Sequence, residues 1–299
     1  MTDSDCRSWF SAADLLTQDA GAPVALIGAP LGLGSITPGR CDLAPETVRA
    51  AMKRMSVYDL ETGTDLSTLR IFDDGDIGLE ELQPADSLAP MIERIGPITQ
   101  QHELTIVLGG NNAVTRPCVH ALDPTLQRVG VLTLDAHFDL RDTDCGLTNG
   151  NPIQALLEDG LPGAHIAQLG LLPFANTKKA HDKAKAAGIT VATAAACKAE
   201  GLAAIAEHAL AMLASRCDVI HVDFDIDVVE RSAMPGAPGA RPGGVAVQDF
   251  FNATRVISAH PKVRSIDLTE FDPSLDVAAI SALTAARWVC EVLAGFQKR

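Results

Sequence analysis

The sequence predicts an α/β protein with three layers, in which helices cover both faces of a doubly wound, mostly parallel sheet of about eight strands. Three observations support this fold class. The strand-like segments are near-continuous apolar runs, which suit strands that are buried on both faces. Helix-like segments separate these runs along the whole chain. No repeat or linker interrupts the alternation, so we expect a single domain over residues 1–299.

The predicted strands are short runs rich in β-branched residues. The weakest of them precedes the acidic segment DDGD. The predicted strands cover residues 24–28, 70–72, 104–108, 130–135, 166–170, 189–192, 219–227 and 263–268. In folds of this class, ligands bind at the carboxyl ends of the strands. The residues that follow these runs therefore decide what the protein does.

The predicted helices lie between the strands and show apolar residues at helical spacing. In one of them, Leu202, Ala206, Leu210 and Leu213 recur along a single face. The predicted helices cover residues 44–55, 80–100, 178–187, 200–214, 248–258 and 277–296. The Gly/Pro-rich stretch 235–244 is predicted to be a long functional loop rather than a domain boundary.

Composition excludes several classes of partner. The net charge of −14 and the pI near 4.9 argue against nucleic acid, because the chain has no Lys/Arg-dense face to neutralise phosphates. No apolar stretch reaches the roughly 18 residues of a membrane span, and the polar, acidic N-terminus does not resemble a signal peptide. Seven scattered cysteines without a CxxC pair indicate reduced thiols. We therefore expect a cytoplasmic protein with no membrane segment.

Acidic residues crowd the ends of two predicted strands. After the apolar run of the segment LTLDAHFDLRD, at 132–142, acidic and imidazole side chains alternate at Asp135, His137 and Asp139. The segment VIHVDFDID, at 219–227, shows the same alternation at Asp223, Asp225 and Asp227. In an extended chain, alternate side chains point to the same side, so each triplet is expected to converge.

Such a cluster needs a counterion, because buried carboxylates repel one another and are costly to desolvate when they are unpaired. One or two divalent cations would hold them together. Oxygen ligands with one imidazole and no thiolate favour Mn²⁺ over zinc. The competing interpretation is a solvated acidic loop, which often follows a strand; the occurrence of two triplets favours the metal site over that alternative.

The order of the motifs resembles the ureohydrolase family, which comprises arginases, agmatinases and formimidoylglutamases. LGGNNAVTRP at 108–117 is similar to the family's GGDHS segment, and DAHFD at 135–139 to its DAHxD segment. The Asp-rich run and Gly/Pro loop at 223–244 resemble its SxDxDxxDxxxxPG segment, and IDLTEFDPSLD at 266–276 its ExxPxxD segment. The opening at 24–49 and DDGD also match in order. The resemblance covers nearly the whole chain.

The resemblance implies an arginase-like fold with two manganese ions, usually in a homo-trimer or homo-hexamer. Carried over by position, Asp135 and Asp225 would bridge the two ions. His137 and Asp227 would complete the shell of one ion, and Asp139 would bind the other. Asp223 would be either a partner of the ligands or a solvated acid.

Three residues depart from the family pattern. Asn112 stands where the family has its first metal-binding histidine, so an amide oxygen replaces an imidazole and the second ion could be loosely held or absent. Asn149 replaces a histidine that is associated with proton shuttling in arginases, and it is assigned here to the substrate-binding residues. Glu230 replaces the last Asp of the DxDxxD pattern. The first two changes argue against a standard arginase.

The expected reaction is hydrolysis of a C–N bond in a linear amidine or guanidine, such as formimidoylglutamate or agmatine. A hydroxide that bridges the two ions would attack the planar amidine carbon. Asp139 would carry the proton to the leaving amine, and Glu270 would pair with the substrate cation. The alternative for Glu270 is a surface carboxylate at a strand end.

Arg241 is the one cation of the glycine-rich loop, and it is a candidate to bind a substrate carboxylate. The alternatives for Arg241 are a solvated side chain or a subunit contact. Arg141 and Asp144 are weaker candidates of the same kind.

Two other classes of protein compete with the hydrolase. The first is a catalytically silent, metal-binding relative with a structural or regulatory role, and Asn112 and Asn149 motivate it. The second is a deacetylase on a related fold, which would need zinc and catalytic histidines that the sequence does not offer.

Overall fold

Residues 9–299 are described by the computed structural model of the chain; residues 1–8, which include Cys6 and the start of the acidic N-terminus, lie outside the described residues. The described strands, in chain order, are β1 Leu16–Thr17, β2 Val24–Ala29, β3 Tyr58–Asp59, β4 Thr64–Asp65, β5 Ile71–Asp76, β6 Leu104–Gly109, β7 Val129–Leu134, β8 Ile166–Leu171, β9 Thr190–Thr193, β10 Val219–Asp225 and β11 Val263–Thr269. The short strands β3 and β4 form a separate antiparallel hairpin.

All other strands form one parallel sheet in the order β1-β5-β2-β6-β11-β10-β7-β8-β9. The apolar runs predict this core correctly, because every residue of β2, β6, β7 and β8 is buried. The predicted fold class is confirmed. The sheet has nine strands rather than about eight. The additional one is β1, an edge strand of two residues that is not part of any apolar run in the sequence.

The described helices, in chain order, are α1 Ala44–Met52, α2 Leu88–Gln101, α3 Thr115–Leu122, α4 Pro152–Glu158, α5 Lys178–Ala187, α6 Ala194–Glu200, α7 Leu202–Ala214, α8 Val247–Ala259 and α9 Ile280–Phe296. Helices α1, α6, α7, α8 and α9 share one apolar core with one face of the sheet. Helices α2, α3, α4 and α5 pack on the opposite face in two smaller cores. The result is the predicted three-layer arrangement.

The sequence pattern does not predict α3, α4 and α6, which are only seven or eight residues long. The predicted helix at 80–100 begins late, at Leu88. The described residues contain no helix that is both long and apolar enough to cross a membrane. The six cysteines among residues 9–299 carry no disulfide.

The sheet brings the functional strand ends together. Strands β6, β11, β10 and β7 are neighbours in the middle of the sheet, and all run in the same direction. Asp225 pairs in register with Thr269, so β10 and β11 end at the same level. The loops that follow these four strands therefore meet at one edge, as expected for a doubly wound sheet.

Candidate active site

A cavity of about 610 Å³ opens at this edge of the sheet. Four predicted metal ligands line it, His137, Asp139, Asp225 and Asp227, and so does Glu270, the predicted partner of the substrate cation. The predicted substrate-binding residues Asn149 and Arg241 line it as well. Asp135 and Asn112 are buried and contact the lining side chains, so the structure brings the whole predicted set to one place.

The residues of the two acidic triplets do not stay extended as the alternation predicts. Strand β7 ends at Leu134, and Asp139 has a left-handed backbone with φ of 51°. Strand β10 ends at Asp225, and Asp227 lies in a 3-10 turn over Ile226–Val228. The Asp225 side chain accepts a hydrogen bond of 2.9 Å from the backbone N–H of Asp227 and thereby stabilises this turn.

Asp135, His137 and Asp227 form the centre of the site. One ligand atom of each lies within 4.8 Å of the others. The His137 Nδ1 atom is 3.0 Å from Asp227 Oδ2 and 3.4 Å from Asp135 Oδ1. Backbone N–H groups fix both carboxylates: that of His137 donates to Asp135 Oδ1 at 2.6 Å, and that of Ala136 to Asp227 Oδ1 at 3.2 Å.

These residues fit a divalent cation. The donor set is two carboxylates and one imidazole, which suits Mn²⁺ and related metals. The Asp135 Oδ2 atom is buried and has no hydrogen-bond partner among the described residues, as expected for an oxygen whose partner is a cation. Gly239 leaves room beside the cluster, because a Cβ atom at this position would lie 1.9 Å from Asp227 Oδ2.

The charges within the cluster shift its pKa values strongly. Burial raises the pKa of Asp135 to about 6, against the opposing effect of His137. Burial alone would lower the pKa of His137, but the negative charges of Asp227 and Asp135 outweigh it and raise this pKa to about 12. Burial favours protonation of Asp227, yet the nearby His137 cation lowers the pKa of Asp227 overall. The two carboxylates thus favour the imidazolium form of His137, whose charge balances theirs.

Asp139 and Asn112 form the second half of the site. The Asn112 side-chain N–H donates to Asp139 Oδ2 at 2.6 Å. The Asn112 Oδ1 atom accepts from the hydroxyls of Thr115 and Thr269 at 2.9 and 3.0 Å. Burial, reinforced by the charge of Asp135, raises the pKa of Asp139. In this arrangement the amide oxygen of Asn112 faces the two threonines, and its role as a metal ligand stays a prediction.

Glu270 closes the cavity beside Asn149. The Glu270 Oε1 atom accepts hydrogen bonds from the backbone N–H of Asn112 at 2.7 Å and from Asn149 Nδ2 at 2.9 Å. Its backbone is left-handed, with φ of 62°. Burial raises the pKa of Glu270 to about 7, against the opposing effect of the Asn149 hydrogen bond. Glu270 is 5% exposed, so its alternative interpretation as a surface carboxylate is wrong.

The arginines at the cavity differ in how they are engaged. The Arg241 Nη1 atom donates to the carbonyl oxygens of Pro238, Gly239 and Ala240, at 3.3, 2.6 and 3.2 Å. Arg141 also lines the cavity. Among the described residues, its guanidinium makes no hydrogen bond or ion pair. Arg141 is therefore the more available of the two for a ligand.

Sequence reasoning missed the asparagines that tie the site loops together. Asn176 accepts from the backbone N–H of Phe138 at 2.9 Å and donates to Ala136 O at 2.8 Å. Asn111 and Asn151 stabilise the loops after β2 and β7 in the same manner. For Asn111 and Asn176 the only signal in the sequence is an asparagine shortly after a predicted strand, which is too common to single out, and Asn151 has no such signal.

Asp223 does not reach the cavity. It is fully buried on β10, one row below Asp225, and pairs in register with Asp267 of β11. Burial, together with the charge of Asp267, raises the pKa of Asp223. The interpretation of Asp223 as a solvated acid is therefore wrong.

A doubly wound parallel sheet with carboxylates and an imidazole at the carboxyl ends of its strands defines an α/β enzyme with a metal site. Comparison with known proteins makes this class more specific. The sequence model of the arginase family matches residues 22–295. The chain is 31% identical to the formimidoylglutamase of Bacillus subtilis over 284 residues, which covers 94% of this chain and 89% of that protein.

Other relatives agree. The chain is 33% identical to the formimidoylglutamase of Halalkalibacterium halodurans over 274 residues, which covers 90% of this chain and 86% of that protein. The crystal structure of the Bacillus subtilis formimidoylglutamase superposes with a TM-score of 0.91 at 29% identity, covering 98% of this chain and 94% of that one. The chain belongs to the arginase family. It is a hydrolase that acts on C–N bonds of linear amidines or guanidines.

Proposed function

We propose that the protein hydrolyses formimidoylglutamate to glutamate and formamide. The observation that carries this proposal is the distribution of charge in the cavity. Its floor is acidic and suits an amidinium group, whereas its lining also contains Arg141, Arg241 and Lys179. Formimidoylglutamate has one amidine and two carboxylates, whereas agmatine has no carboxylate. The names of the relatives support the same substrate.

We infer that the metal site holds two manganese ions. Asp135, His137 and Asp227 would hold one ion, and the side of the site that contains Asp139 would hold the other, with Asp135 and Asp225 shared between them. Divalent cations bound there would lower the pKa of water, so that hydroxide is available at neutral pH. The amide oxygen of Asn112, which replaces a stronger ligand, already accepts from Thr115 and Thr269, so the second ion would be the weaker one.

The chain's own residues then position the substrate and move its proton. The Asn112 and Asn149 hydrogen bonds both fall on Glu270 Oε1, which leaves Oε2 to pair with the amidinium. Asp139 Oδ2 is held by Asn112, which leaves Oδ1 to accept a proton and pass it to the leaving amine. Arg141 and Arg241 would bind the two carboxylates and set the distance from the reacting carbon.

The test is a comparison of substrates with manganese-loaded protein. We expect glutamate and formamide from formimidoylglutamate, and a much smaller kcat/KM for urea release from agmatine, arginine and 4-guanidinobutyrate. The variant His137→Ala is expected to abolish turnover, whereas exchange of His208, which lies on α7, for Ala should leave it unchanged. Tight manganese binding without turnover of any of these compounds would instead identify a silent relative.

The assembly and location belong to the same proposal. We infer a homo-oligomer, as a trimer or hexamer, in the cytoplasm, and a single domain over residues 1–299. The partner is a small-molecule substrate; neither nucleic acid nor membrane has a role in this proposal.

A further inference from the structure

A column of buried polar side chains lies directly beneath the cavity floor. On neighbouring strands β10 and β11, His221 pairs in register with Ser265, and Asp223 with Asp267. All four side chains are fully buried. The His221 Nδ1 atom is 3.2 Å from Ser265 Oγ, and its Nε2 atom is 3.1 Å from Asp267 Oδ2. The mechanism proposed above uses none of these residues, although buried polar groups are costly to retain.

Thr115 connects this column to the active site. It is the first residue of α3, and its Oγ1 atom lies 3.1 Å from Asp267 Oδ2 and 2.9 Å from Asn112 Oδ1. A series of buried polar contacts at hydrogen-bond distance therefore runs from His221 through Asp267, Thr115 and Asn112 to Asp139. Every atom in this series is buried.

The series determines which end of the Asn112 amide faces Asp139. The single Thr115 hydrogen goes either to Asn112 Oδ1 or to Asp267 Oδ2. Thr269 also donates to Asn112 Oδ1, so the amide oxygen keeps a hydroxyl donor in either case. With the amide reversed, its oxygen would lie at 2.6 Å from the Asp139 carboxylate, where two acceptors repel each other. The amide N–H thus points at Asp139 because the hydroxyls of Thr115 and Thr269 face the oxygen end. Asp267 in turn contacts the Thr115 hydroxyl and holds it in place.

We propose that Thr115 and Asp267 are positioning residues, which fix the Asn112 amide so that it donates to Asp139 and holds that carboxylate in its left-handed turn. This inference rests on the proposed role of Asp139 only for its effect on activity; its structural part stands independently. Groups that orient metal-site residues in this way typically change metal affinity or activity by about 10- to 100-fold when they are removed.

The first test is structural and needs neither metal nor substrate. Crystals of metal-free Thr115→Val should show the Asn112 amide turned or in two conformers and the contact with Asp139 lost. Thr115→Ser restores the hydroxyl and should restore the contact. Thr254→Val is the matched control, because Thr254 is equally buried but donates only to the carbonyl oxygen of Phe250 on α8. A single, unchanged Asn112–Asp139 contact in Thr115→Val would overturn the inference.

The second test measures manganese affinity and kinetics of the same variants. Thr115→Val is expected to weaken binding of the second ion and to reduce kcat by about tenfold or more, with KM nearly unchanged, because the substrate contacts remain. Thr115→Ser and Thr254→Val should behave like the parent protein. Equal losses in Thr115→Val and Thr115→Ser would overturn the inference, because the hydroxyl would then not matter.

A double-mutant cycle tests whether Asp267 acts through Thr115. Asp267→Asn should lower kcat in the parent protein but add nothing in the Thr115→Val background. Fully additive effects would contradict the series. If the parent protein turns over no amidine at all, the proposed function fails; the crystal structures still decide whether the positioning series exists.

Discussion

His137 is the residue on which the charge balance of the site depends. Its ring lies between Asp135 and Asp227, and their charges raise its pKa to about 12. A metal ligand must be a neutral imidazole, so binding of a cation has to displace this proton. In the proposed metal site the same two carboxylates would face either this proton or the cation, so both stability and metal affinity are expected to depend on pH.

The first prediction concerns the stability of metal-free protein. Between pH 4.5 and 7 the unfolded chain loses the Glu270 proton while the folded protein, in which this pKa is about 7, retains it. The folded state then binds more protons, so its stability falls as pH rises, by up to about 3 kcal/mol from this group. His137 acts in the same direction above pH 6.5. Asp227, with a lowered pKa, affects stability only below pH 3.8.

Urea unfolding after chelation, at pH 5 and pH 8, measures this effect. The variant Glu270→Gln should show a flatter dependence on pH, because it has no proton to lose. A metal-free parent protein that is more stable at pH 8 than at pH 5 would contradict the predicted sign.

The second prediction concerns substrate specificity. Arg141→Met should raise KM for formimidoylglutamate by roughly thirtyfold, since a charge-assisted hydrogen bond contributes about 2 kcal/mol. Arg241→Met should also raise KM, and in addition lower kcat, because Arg241 holds the carbonyl oxygens of its own loop. Arg70→Met, which removes an exposed arginine whose hydrogen bonds go to Ser67 and Leu69, is the control. Unchanged KM in both cavity variants would remove the carboxylate from the proposed substrate.

The elements of the site are loops whose shape the sequence pattern did not predict. Alternation in 135–139 and 223–227 brought His137, Asp139, Asp225 and Asp227 to one cavity as predicted, but it wrongly placed Asp223 with them and assumed extended backbone. The structure instead turns at Asp139 and Asp227. At Asp227 the turn is stabilised by the backbone N–H of Asp227, which donates to the Asp225 side chain. Left-handed φ values at Asp139 and Glu270 have no sequence signal, since tertiary contacts impose them.

The third prediction tests the glycine-rich loop as an element of the metal site. Gly239→Ala should weaken manganese binding at least tenfold, because its Cβ atom would lie 1.9 Å from Asp227 Oδ2 and 3.2 Å from His137 Cε1, so the ligands must shift. Gly78→Ala is the control, since a Cβ atom there meets nothing within 4 Å. Calorimetric titration with Mn²⁺ would measure both variants. Equal Mn²⁺ affinities of the two variants would contradict the prediction, because the loop would then accommodate the added methyl group without moving the ligands.

At the scale of the whole molecule, the sequence predicted most of the architecture. Apolar runs identified the eight principal strands, most clearly β2, β6, β7 and β8, in which every residue is buried. The more exposed strands β5 and β9 gave weaker runs. The sequence pattern did not predict edge strand β1 or helices α3, α4 and α6, because the formation of elements this short depends on contacts that are distant in sequence. The polar column around Asp267 was not predicted for the same reason. Its residues lie on β10 and β11, and only the strand order, which places β11 between β6 and β10, makes them neighbours.

The fourth prediction concerns assembly. Several large apolar side chains are exposed near one another in sequence, at Leu275, Val277 and Ile280, as they are on surfaces that meet a partner. We expect a solution mass of three or six times 31.4 kDa, measured by light scattering across a dilution series. A constant mass equal to that of one chain would contradict the oligomer.

The position of Asn149 has a consequence for the lifetime of the protein. Asparagine followed by glycine is the sequence that most readily loses ammonia, and Gly150 follows Asn149. The product, an aspartate, would replace the N–H group that now donates to Glu270 with a second carboxylate against it. Deamidation of Asn149 during storage would then inactivate the protein. The hydrogen bonds that hold the Asn149 side chain in place also slow this reaction.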